Sequence, residues 1–272
     1  RGRDMGRITT LFDQLRRDQK KALVAYLVAG DPTPDVTVPL MHAMVDAGVS
    51  MIELGVPFTD PEADGPVIQS AADRALAQGV SLQDTLSLAA RFRKQDNETP
   101  IVLMGYLNPI ENMGYEPFSK AAASAGVDGT ITVNSPPEEA GVLDGFLIDH
   151  GIDPVYLLAP TTTDDRADFI FHRTRGFAYY VSLKGTTGAS TIQVDSVAGN
   201  LERLKPKATV PLLVGFGIKN GDMANEIAQL CDGVVVGAAI VSLMESHQKD
   251  TTALIQAVCD LVGEMRSAMD SA

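Results

Sequence analysis

The sequence predicts a parallel (β/α)8 barrel of the TIM type. Short apolar runs alternate with amphipathic stretches over about 250 residues, the usual size and element order of such barrels. An open, doubly wound sheet is the alternative for the same alternation. No shift in composition marks a linker, so residues 1–272 are expected to form a single domain. The eight runs predicted as strands are Ala22–Gly30, Met51–Val56, Ile101–Tyr106, Gly129–Asn134, Pro154–Ala159, Phe177–Ser182, Pro211–Gly217 and Gly233–Gly237.

The segments between these strands carry apolar residues at helical spacing, as in "SLQDTLSLAARF" and "SVAGNLERLK". A helix, "RITTLFDQLRRDQ", is predicted before the first strand, and a long helix over Thr252–Met269 follows the last one. Gly48, Gly126 and Gly151 precede strands at positions where glycine commonly ends a helix. Helices are therefore expected on every connection.

Composition restricts the location and partners of the protein. Hydrophobic residues make up 45% of the chain and the net charge is −13. These values disfavour disorder and argue against nucleic acid or anionic membranes as partners. The longest apolar run, Gly233–Met244, is too short to cross a bilayer, and no signal peptide is visible. Cys231 and Cys259 show no metal-binding spacing, so we expect buried, reduced thiols in a cytoplasmic protein.

The second predicted strand leads into "MIELGVPFTDPEADGPVIQ", residues 51–69. Glu53 stands between two apolar residues, where a buried carboxylate is costly. It shares a face of the strand with Met51 and Gly55. If that face lines the lumen, Glu53 points into the end of the barrel that holds active sites, and burial would raise its pKa toward neutrality. A structural ion pair with a Lys or Arg is the alternative.

Three more acids, Asp60, Glu62 and Asp64, follow in the next loop. Asp64 precedes Gly-Pro, a common setting for a turn or helix N-cap, so its spacing alone favours a structural role. Asp60 and Glu62 are interpreted as loop acids, with Asp60 a candidate to cap or brace the loop.

Glycines follow the seventh and eighth strands in "VPLLVGFGIKNGD" and "GVVVGAAIVSLM". Neither segment is specific by itself. Barrels often bind a phosphate at this place through backbone N–H groups and the N-terminus of a short helix. Together the two segments predict a phosphate site.

The loop "SLKGTTGAS" after the sixth strand has the composition of a mobile lid. Its Lys184 raises the alternative of a Schiff-base aldolase, although its place beside Gly185, past the strand end, favours a solvated lysine. The four histidines are scattered over helical stretches without a metal or triad pattern, so they are expected to pack on helices or lie at the surface. No metal site is predicted.

Six segments carry a resemblance to a known family and are spread in order over most of the chain. They are "YLVAGDP", "IELGVPFTDPEADGPVIQ", "YLNPI", "YYVSLKGTTGA", "GFGI" and "GVVVGAAIV". The chain closely resembles the alpha subunits of tryptophan synthase, and residues 51–69 are nearly a signature of that family. The resemblance implies a TIM barrel that cleaves indole-3-glycerol phosphate to indole and glyceraldehyde 3-phosphate.

The family's two catalytic carboxylates fall on Glu53 and Asp64. By resemblance, Glu53 protonates indole C3 and then takes the side-chain hydroxyl proton, while Asp64 accepts from the indole N–H. This intact pair argues against a non-catalytic subunit that only binds a phosphorylated ligand. The implied substrate contacts are Tyr26, Ile68, Met104, Tyr179, Thr187 and Phe216, and the implied phosphate site comprises Gly188, Gly217, Gly237 and Ala238.

The sequence departs from the family pattern at Ala238 and Asn134, and the pair Leu183-Lys184 occurs in only part of the family. Ala238 stands where the family usually has Ser, which removes a hydroxyl from the phosphate site. Asn134 stands where the family commonly has Asp, in a loop that resemblance assigns to communication with a partner subunit. The implied partner is the tryptophan synthase beta subunit, in an αββα complex through which indole passes without release. The partner carries pyridoxal phosphate, whereas this chain is expected to carry no cofactor.

Overall fold

A parallel β-sheet that closes on itself forms the centre of the molecule. The computed structural model describes residues 6–181, 190–215 and 217–271. The strands in these ranges are β1 (Ala22–Val28), β2 (Met51–Gly55), β3 (Ile101–Gly105), β4 (Gly129–Thr132), β5 (Asp153–Pro154), β6 (Leu157–Leu158), β7 (Ala178–Val181), β8 (Leu212–Gly215) and β9 (Gly233–Val236). Their order is β5-β4-β3-β2-β1-β9-β8-β7-β6. Because β5 and β6 are successive in the chain, the two ends of the sheet meet and complete a barrel.

The fifth barrel position is divided between β5 and β6, so the prediction of one continuous strand over Pro154–Ala159 was wrong. β5 pairs with β4, and β6 pairs with β7. Pro154 has no N–H to donate to a neighbouring strand. The N–H of Tyr156 donates instead to the Thr174 hydroxyl, at 3.0 Å. The other predicted strands are confirmed, with shorter ends.

Helices connect the strands on the outside of the barrel, and both predicted terminal helices are confirmed. Gly48, Gly126 and Gly151 follow helices with φ of 116°, 79° and 77°, the left-handed conformation expected after a helix end. The α-helices in the described ranges are α1 (Arg7–Arg17), α2 (Pro34–Asp46), α3 (Pro66–Ala77), α4 (Leu82–Arg93), α5 (Leu107–Met113), α6 (Tyr115–Ser124), α7 (Gly141–Asp149), α8 (Asp164–Arg173), α9 (Ser190–Leu204), α10 (Gly221–Ala228), α11 (Ala238–Ser246) and α12 (Thr251–Asp270). A short 3-10 helix, Lys205–Lys207, follows α9.

The lumen of the barrel is packed with apolar side chains, and α1 closes its N-terminal end. Ile8 and Phe12 of α1 are buried against the lumen residues, and the Phe12 ring centroid lies 6.4 Å from that of Phe177. Among the described residues, these two side chains cover the N-terminal end of the lumen. The lumen residues are Ala22, Val24, Met51, Val102, Ile131, Val155, Phe177, Tyr179, Leu213 and Val235.

Two short helices, α3 and α11, pack on the C-terminal half of β1. Ala71 and Ala75 of α3 and Val241 of α11 form a buried cluster with Tyr26 and Val28 of β1. Each is followed along the chain by another helix, α4 after α3 and α12 after α11. The small alanine side chains allow α3 to approach the strand closely. These two helices therefore lie at the end of the barrel toward which Glu53 points.

Candidate active site

Glu53 is a buried acid in the lumen. Its side chain is 1% exposed, and it shares the lumen face of β2 with Met51, as its strand parity predicted. Its Oε2 atom is buried without a hydrogen-bond partner in the described part of the chain. Burial, followed by the nearby charge of Asp64, raises the pKa of Glu53 to about 8. The alternative of a structural ion pair finds no support, since the described residues offer this side chain no cationic partner.

Asp64 occupies a different environment at the end of the loop after β2. Its carboxylate Oδ2 accepts a hydrogen bond of 3.1 Å from the Tyr106 hydroxyl. The N-cap of α3 is Gly65, so Asp64 does not cap the helix, although its own N–H closes a turn onto Pro61 O at 3.0 Å. Burial raises the pKa of Asp64, and the hydrogen bond from Tyr106 partly opposes that rise. Asp64 thus forms a backbone turn, while its Oδ1 accepts no hydrogen bond from the described residues.

Tyr106, which the sequence analysis did not select, connects the acidic loop to the barrel. Besides donating to Asp64, its hydroxyl accepts from the Ala63 N–H at 3.0 Å. Its ring stacks on Phe58, with centroids 5.2 Å apart. Its position in the sequence could have identified Tyr106 as a site residue. It is the first residue of "YLNPI" and directly follows β3, and residues at the C-terminal ends of strands in such a barrel face the site.

Two tyrosines lie beside Glu53 in the lumen, and each rests against a glycine. A Cβ atom added at Gly55 would overlap the Tyr26 hydroxyl, and one added at Gly215 would overlap that of Tyr179. Both tyrosines are only 8% exposed. Burial and the charges of Glu53 and Asp64 raise the pKa of both phenols well above the usual value. The two hydroxyls therefore stay protonated wherever the carboxylates ionise.

The structure brings together most of the apolar residues predicted to contact the substrate. Ile68 and Met104 pack, partly buried, on the cluster that contains Tyr26. Met104 also contacts the lumen cluster that contains Tyr179. This places an apolar surface beside the two carboxylates. Of the other predicted contacts, Thr187 and Phe216 lie outside the described residues, as does Lys184.

The predicted phosphate residues lie at the ends of β8 and β9. Gly217 has φ of 38°, and a Cβ atom built there would have no neighbour within 4 Å. Gly237 is the N-cap of α11 and Ala238 is its first residue, exposed to solvent. The first backbone N–H groups of a helix have no partner within the helix and favour an anion. Gly188, the remaining predicted phosphate residue, lies outside the described residues.

Asn134 connects the loop that follows β4 to the first turn of α5. Its Oδ1 accepts from the Leu107 N–H at 2.7 Å, and its Nδ2 donates to Asn108 Oδ1 at 3.3 Å. The amide thus uses both its acceptor and its donor. An Asp here would keep only the first of these interactions in the same geometry.

The described histidines contact helices, as predicted. Nδ1 of His150, His172 and His247 lies within hydrogen-bond distance of the carbonyl four residues earlier, and His42 stacks on Phe92 at 4.5 Å. Within the described ranges, no group of three or more metal-ligating side chains is placed to hold an ion. No described helix has the length and hydropathy needed to span a bilayer. Both cysteines are free; Cys231 is buried as expected, but Cys259 is only half-buried.

A family model described as "Tryptophan synthase alpha chain" matches residues 12–270. The chain belongs to this family. A relative of the same description from Thioalkalivibrio sulfidiphilus is 54% identical over 266 residues, covering 98% of this chain and 100% of the relative. Another, from Marinobacter nauticus, is 50% identical over 267 residues, with 98% and 99% covered.

Solved structures confirm the predicted TIM barrel. The alpha subunit of tryptophan synthase from Legionella pneumophila is 42% identical, with a TM-score of 0.92 over 98% of this chain and 100% of that one. A chain of tryptophan synthase from Mycobacterium tuberculosis is 33% identical, with a TM-score of 0.88 over 98% and 99%. As a member of the family, the chain is an indole-3-glycerol-phosphate lyase of tryptophan biosynthesis. It needs no cofactor of its own, since pyridoxal phosphate belongs to the beta subunit of tryptophan synthase.

The raised pKa of Glu53 predicts a measurable pH dependence of stability. In the folded chain Glu53 keeps its proton up to about pH 8, whereas in the unfolded chain it loses that proton near pH 4.5. The free energy of unfolding should therefore fall with rising pH across this window, by up to ~1.4 kcal/mol per pH unit from this group. The measurement is urea unfolding of wild type and Glu53→Gln at several pH values. Titration of all other groups cancels when the free energies of unfolding of the two proteins are subtracted. If the two free energies change with pH in parallel, the raised pKa of Glu53 is contradicted.

Proposed function

We propose that the chain cleaves indole-3-glycerol phosphate with Glu53 as general acid–base and Asp64 as the acceptor of the indole N–H. The observation that carries this proposal is the buried, unpartnered Oε2 of Glu53 at the apolar end of the lumen. A carboxylic acid kept protonated to about pH 8 is a competent proton donor at neutral pH. No structural interaction in the described residues accounts for this side chain.

The reaction needs two proton transfers at one residue. Glu53 first donates its proton to indole C3, which converts the ring to an indolenine with positive charge on the ring nitrogen. The resulting carboxylate then takes the proton of the hydroxyl on the adjacent side-chain carbon. The bond from C3 to that carbon breaks, its electron pair restores the indole ring, and the carbon becomes the aldehyde of glyceraldehyde 3-phosphate. Glu53 is thereby reprotonated for the next turnover.

Asp64 stabilises the charge that develops on the ring nitrogen. Its partial exposure and the hydrogen bond from Tyr106 favour the ionised form more than the surroundings of Glu53 do. Two carboxyl groups in different environments can therefore divide the acid and the electrostatic roles. Tyr106 holds the Asp64 carboxylate and the preceding Ala63 N–H at once, which orients the loop for this role.

Apolar contacts and the phosphate site orient the substrate between the carboxylates. Tyr26, Ile68, Met104 and Tyr179 supply apolar surface for the indole ring, and Phe216 is assigned to the same surface by resemblance. By resemblance, the phosphate is assigned to backbone N–H groups near Gly188, Gly217, Gly237 and Ala238, and Thr187 is assigned to closing the site over Asp64. Anchoring both ends positions C3 beside Glu53.

The chain is proposed to act in the cytoplasm with a tryptophan synthase beta subunit, as an αββα complex that passes indole on without release. The two segments joined by Asn134, the start of α5 after β3 and the loop after β4, are proposed as a large part of the contact. The hydrogen bonds of Asn134 hold these two segments in place before any partner binds. A partner would therefore meet a preformed surface.

Glu53→Gln should keep the fold and lose proton transfer, which typically contributes about 10²–10⁴-fold to the rate. Asp64→Asn should also be severely impaired, because a neutral amide cannot balance the charge on the ring nitrogen. Indole release from indole-3-glycerol phosphate measures both. Glu62→Gln is the matched control, an exposed acid of the same loop, and should release indole like wild type. Normal release by folded Glu53→Gln would refute its assignment.

Ala238→Ser should tighten glycerol 3-phosphate binding about fivefold. The added hydroxyl can donate one hydrogen bond to the phosphate, which partial solvation reduces to about 1 kcal/mol. Turnover of bound substrate should change little. Calorimetric titration of both proteins measures the difference. Equal or weaker binding by the Ser variant would show that the phosphate lies elsewhere or has its hydrogen bonds satisfied already.

If the chain forms a stable αββα complex, it should elute together with a beta subunit from the same source in size-exclusion chromatography. The mixture at micromolar concentration should elute earlier than either component. Separate elution of the two chains would contradict a stable αββα complex.

A further inference from the structure

Arg74, in α3, joins three elements that surround the site. Its Nε and Nη2 donate to the two carboxylate oxygens of Asp31, at 2.6 and 3.1 Å. Its Nη1 donates to Oε1 of Glu245 in α11, at 2.9 Å. Asp31 follows β1 and is 0% exposed. One guanidinium therefore ties α3, α11 and the loop after β1 together.

The helices joined by Arg74 begin at opposite ends of the proposed substrate site. α3 begins at Pro66, two residues after Asp64, and α11 begins at Ala238, in the proposed phosphate site. Arg74 lies about 12 Å along α3 from its start, and Glu245 lies about 10 Å along α11. A link at these points fixes the angle and spacing of the two helices beyond what apolar packing sets.

Few fully buried apolar side chains join the two helices. They are Ala71 and Ala75 from α3 and Val241 from α11, over Tyr26 of β1, with Val67 and Ile68 of α3 packed partly buried against the same cluster. Apolar contacts are non-directional, so they set the distance between the two helices more firmly than their lateral position. The planar, bidentate pair of Arg74 with Asp31 adds a fixed direction, because both hydrogen bonds must stay aligned. Asp31 also cannot turn toward water, since it is buried.

We propose that Arg74 is a positioning residue that sets the spacing between Asp64 and the phosphate site, and so aligns the bound substrate with Glu53. This inference rests on the functions proposed above for Asp64 and Ala238. Arg74 lies too far along α3 from Asp64 to serve as a catalytic residue itself. Its effect is on the substrate that spans both ends, since a displacement near 1 Å can cost about 10²-fold in rate.

The test compares whole substrate with its two separate ends in the full-length chain. In Arg74→Met, kcat/KM for indole-3-glycerol phosphate should fall about 10- to 100-fold. The dissociation constants of indole and of glycerol 3-phosphate should each stay within about threefold, because each fragment contacts only one end. Arg74→Lys should be intermediate, since an ammonium keeps the charge but cannot hold Asp31 bidentately and reach Glu245.

Arg266→Met is the matched control. The Arg266 side chain is 14% exposed, against 18% for that of Arg74. Like Arg74 it donates to a carboxylate, that of Asp270, and it also donates to the backbone carbonyl of Lys21. It lies in α12, and Lys21 precedes β1, so it contacts the opposite end of the barrel. Its substitution should lower thermal stability as Arg74→Met does, while kcat/KM stays within about twofold of wild type.

Three results would overturn the inference. One is a kcat/KM for Arg74→Met equal to that of Arg266→Met. A second is a loss that the two fragment affinities fully explain, which would mean that Arg74 shapes each end separately. If Arg74→Met does not fold, Glu245→Ala decides instead, because it keeps the Asp31 pair and removes the acceptor that Arg74 Nη1 uses in α11. This variant should lower kcat/KM about threefold. The third result that would overturn the inference is a wild-type kcat/KM in this variant.

Failure of the proposed function would look different. A wild-type chain that releases no indole, or a Glu53→Gln variant that releases it normally, would remove that function regardless of Arg74. With wild-type release and an impaired Glu53→Gln variant, the Arg74 series tests positioning alone.

Discussion

The carboxyl group of Glu53 is held out of water at the end of a barrel lumen, and much of the surrounding structure depends on that burial. Desolvation favours the neutral acid, which places the pKa of Glu53 at about 8. Side chains at both ends of the lumen limit the contact of this group with water, which leaves Glu53 1% exposed. Ile8 and Phe12 of α1 fill the N-terminal end. Tyr26 and Tyr179 line the other end with rings and neutral hydroxyls, which add no charge to stabilise the carboxylate.

Fitting two large rings beside Glu53 restricts the opposing backbone. Gly55 and Gly215 stand where any side chain would overlap a tyrosine hydroxyl. These glycines are therefore required by a close approach of side chain to backbone rather than by a turn. The tyrosine and glycine pairs, one on β1 and β2 and the other on β7 and β8, show how neighbouring strands jointly shape the lumen.

The two acids of the site differ because the fold gives them different supports. Glu53 extends from a strand that is buried on both sides, so its surroundings cannot rearrange to solvate it. Asp64 extends from a loop whose position depends on Tyr106, through a hydrogen bond and the stacked ring of Phe58. A strand thus holds the proposed proton donor, and a braced loop holds the group proposed to balance charge on the substrate. The helices α3 and α11, which pack outside the barrel, are likewise held by a polar contact. Arg74, near the C-terminal end of α3, bonds to Asp31 and to Glu245 of α11.

The sequence by itself determined the features that local pattern encodes. Apolar runs and helical spacing predicted the strands and the terminal helices, and strand parity placed Glu53 with Met51 on the lumen face. Spacing favoured a turn role for Asp64, and only the family resemblance assigned it to catalysis. Composition and spacing also predicted correctly that the histidines contact helices.

Contacts between distant parts of the chain were decided by the tertiary structure alone. Tyr106 meets Asp64 across 42 positions, and Arg74 meets Asp31 across 43 and Glu245 across 171. The division of the fifth strand depends likewise on Thr174 accepting the N–H of Tyr156. A local pattern records which face of an element is apolar and where the element ends. Which polar side chains then meet depends on the register and closure of the whole barrel, and no single segment carries that information.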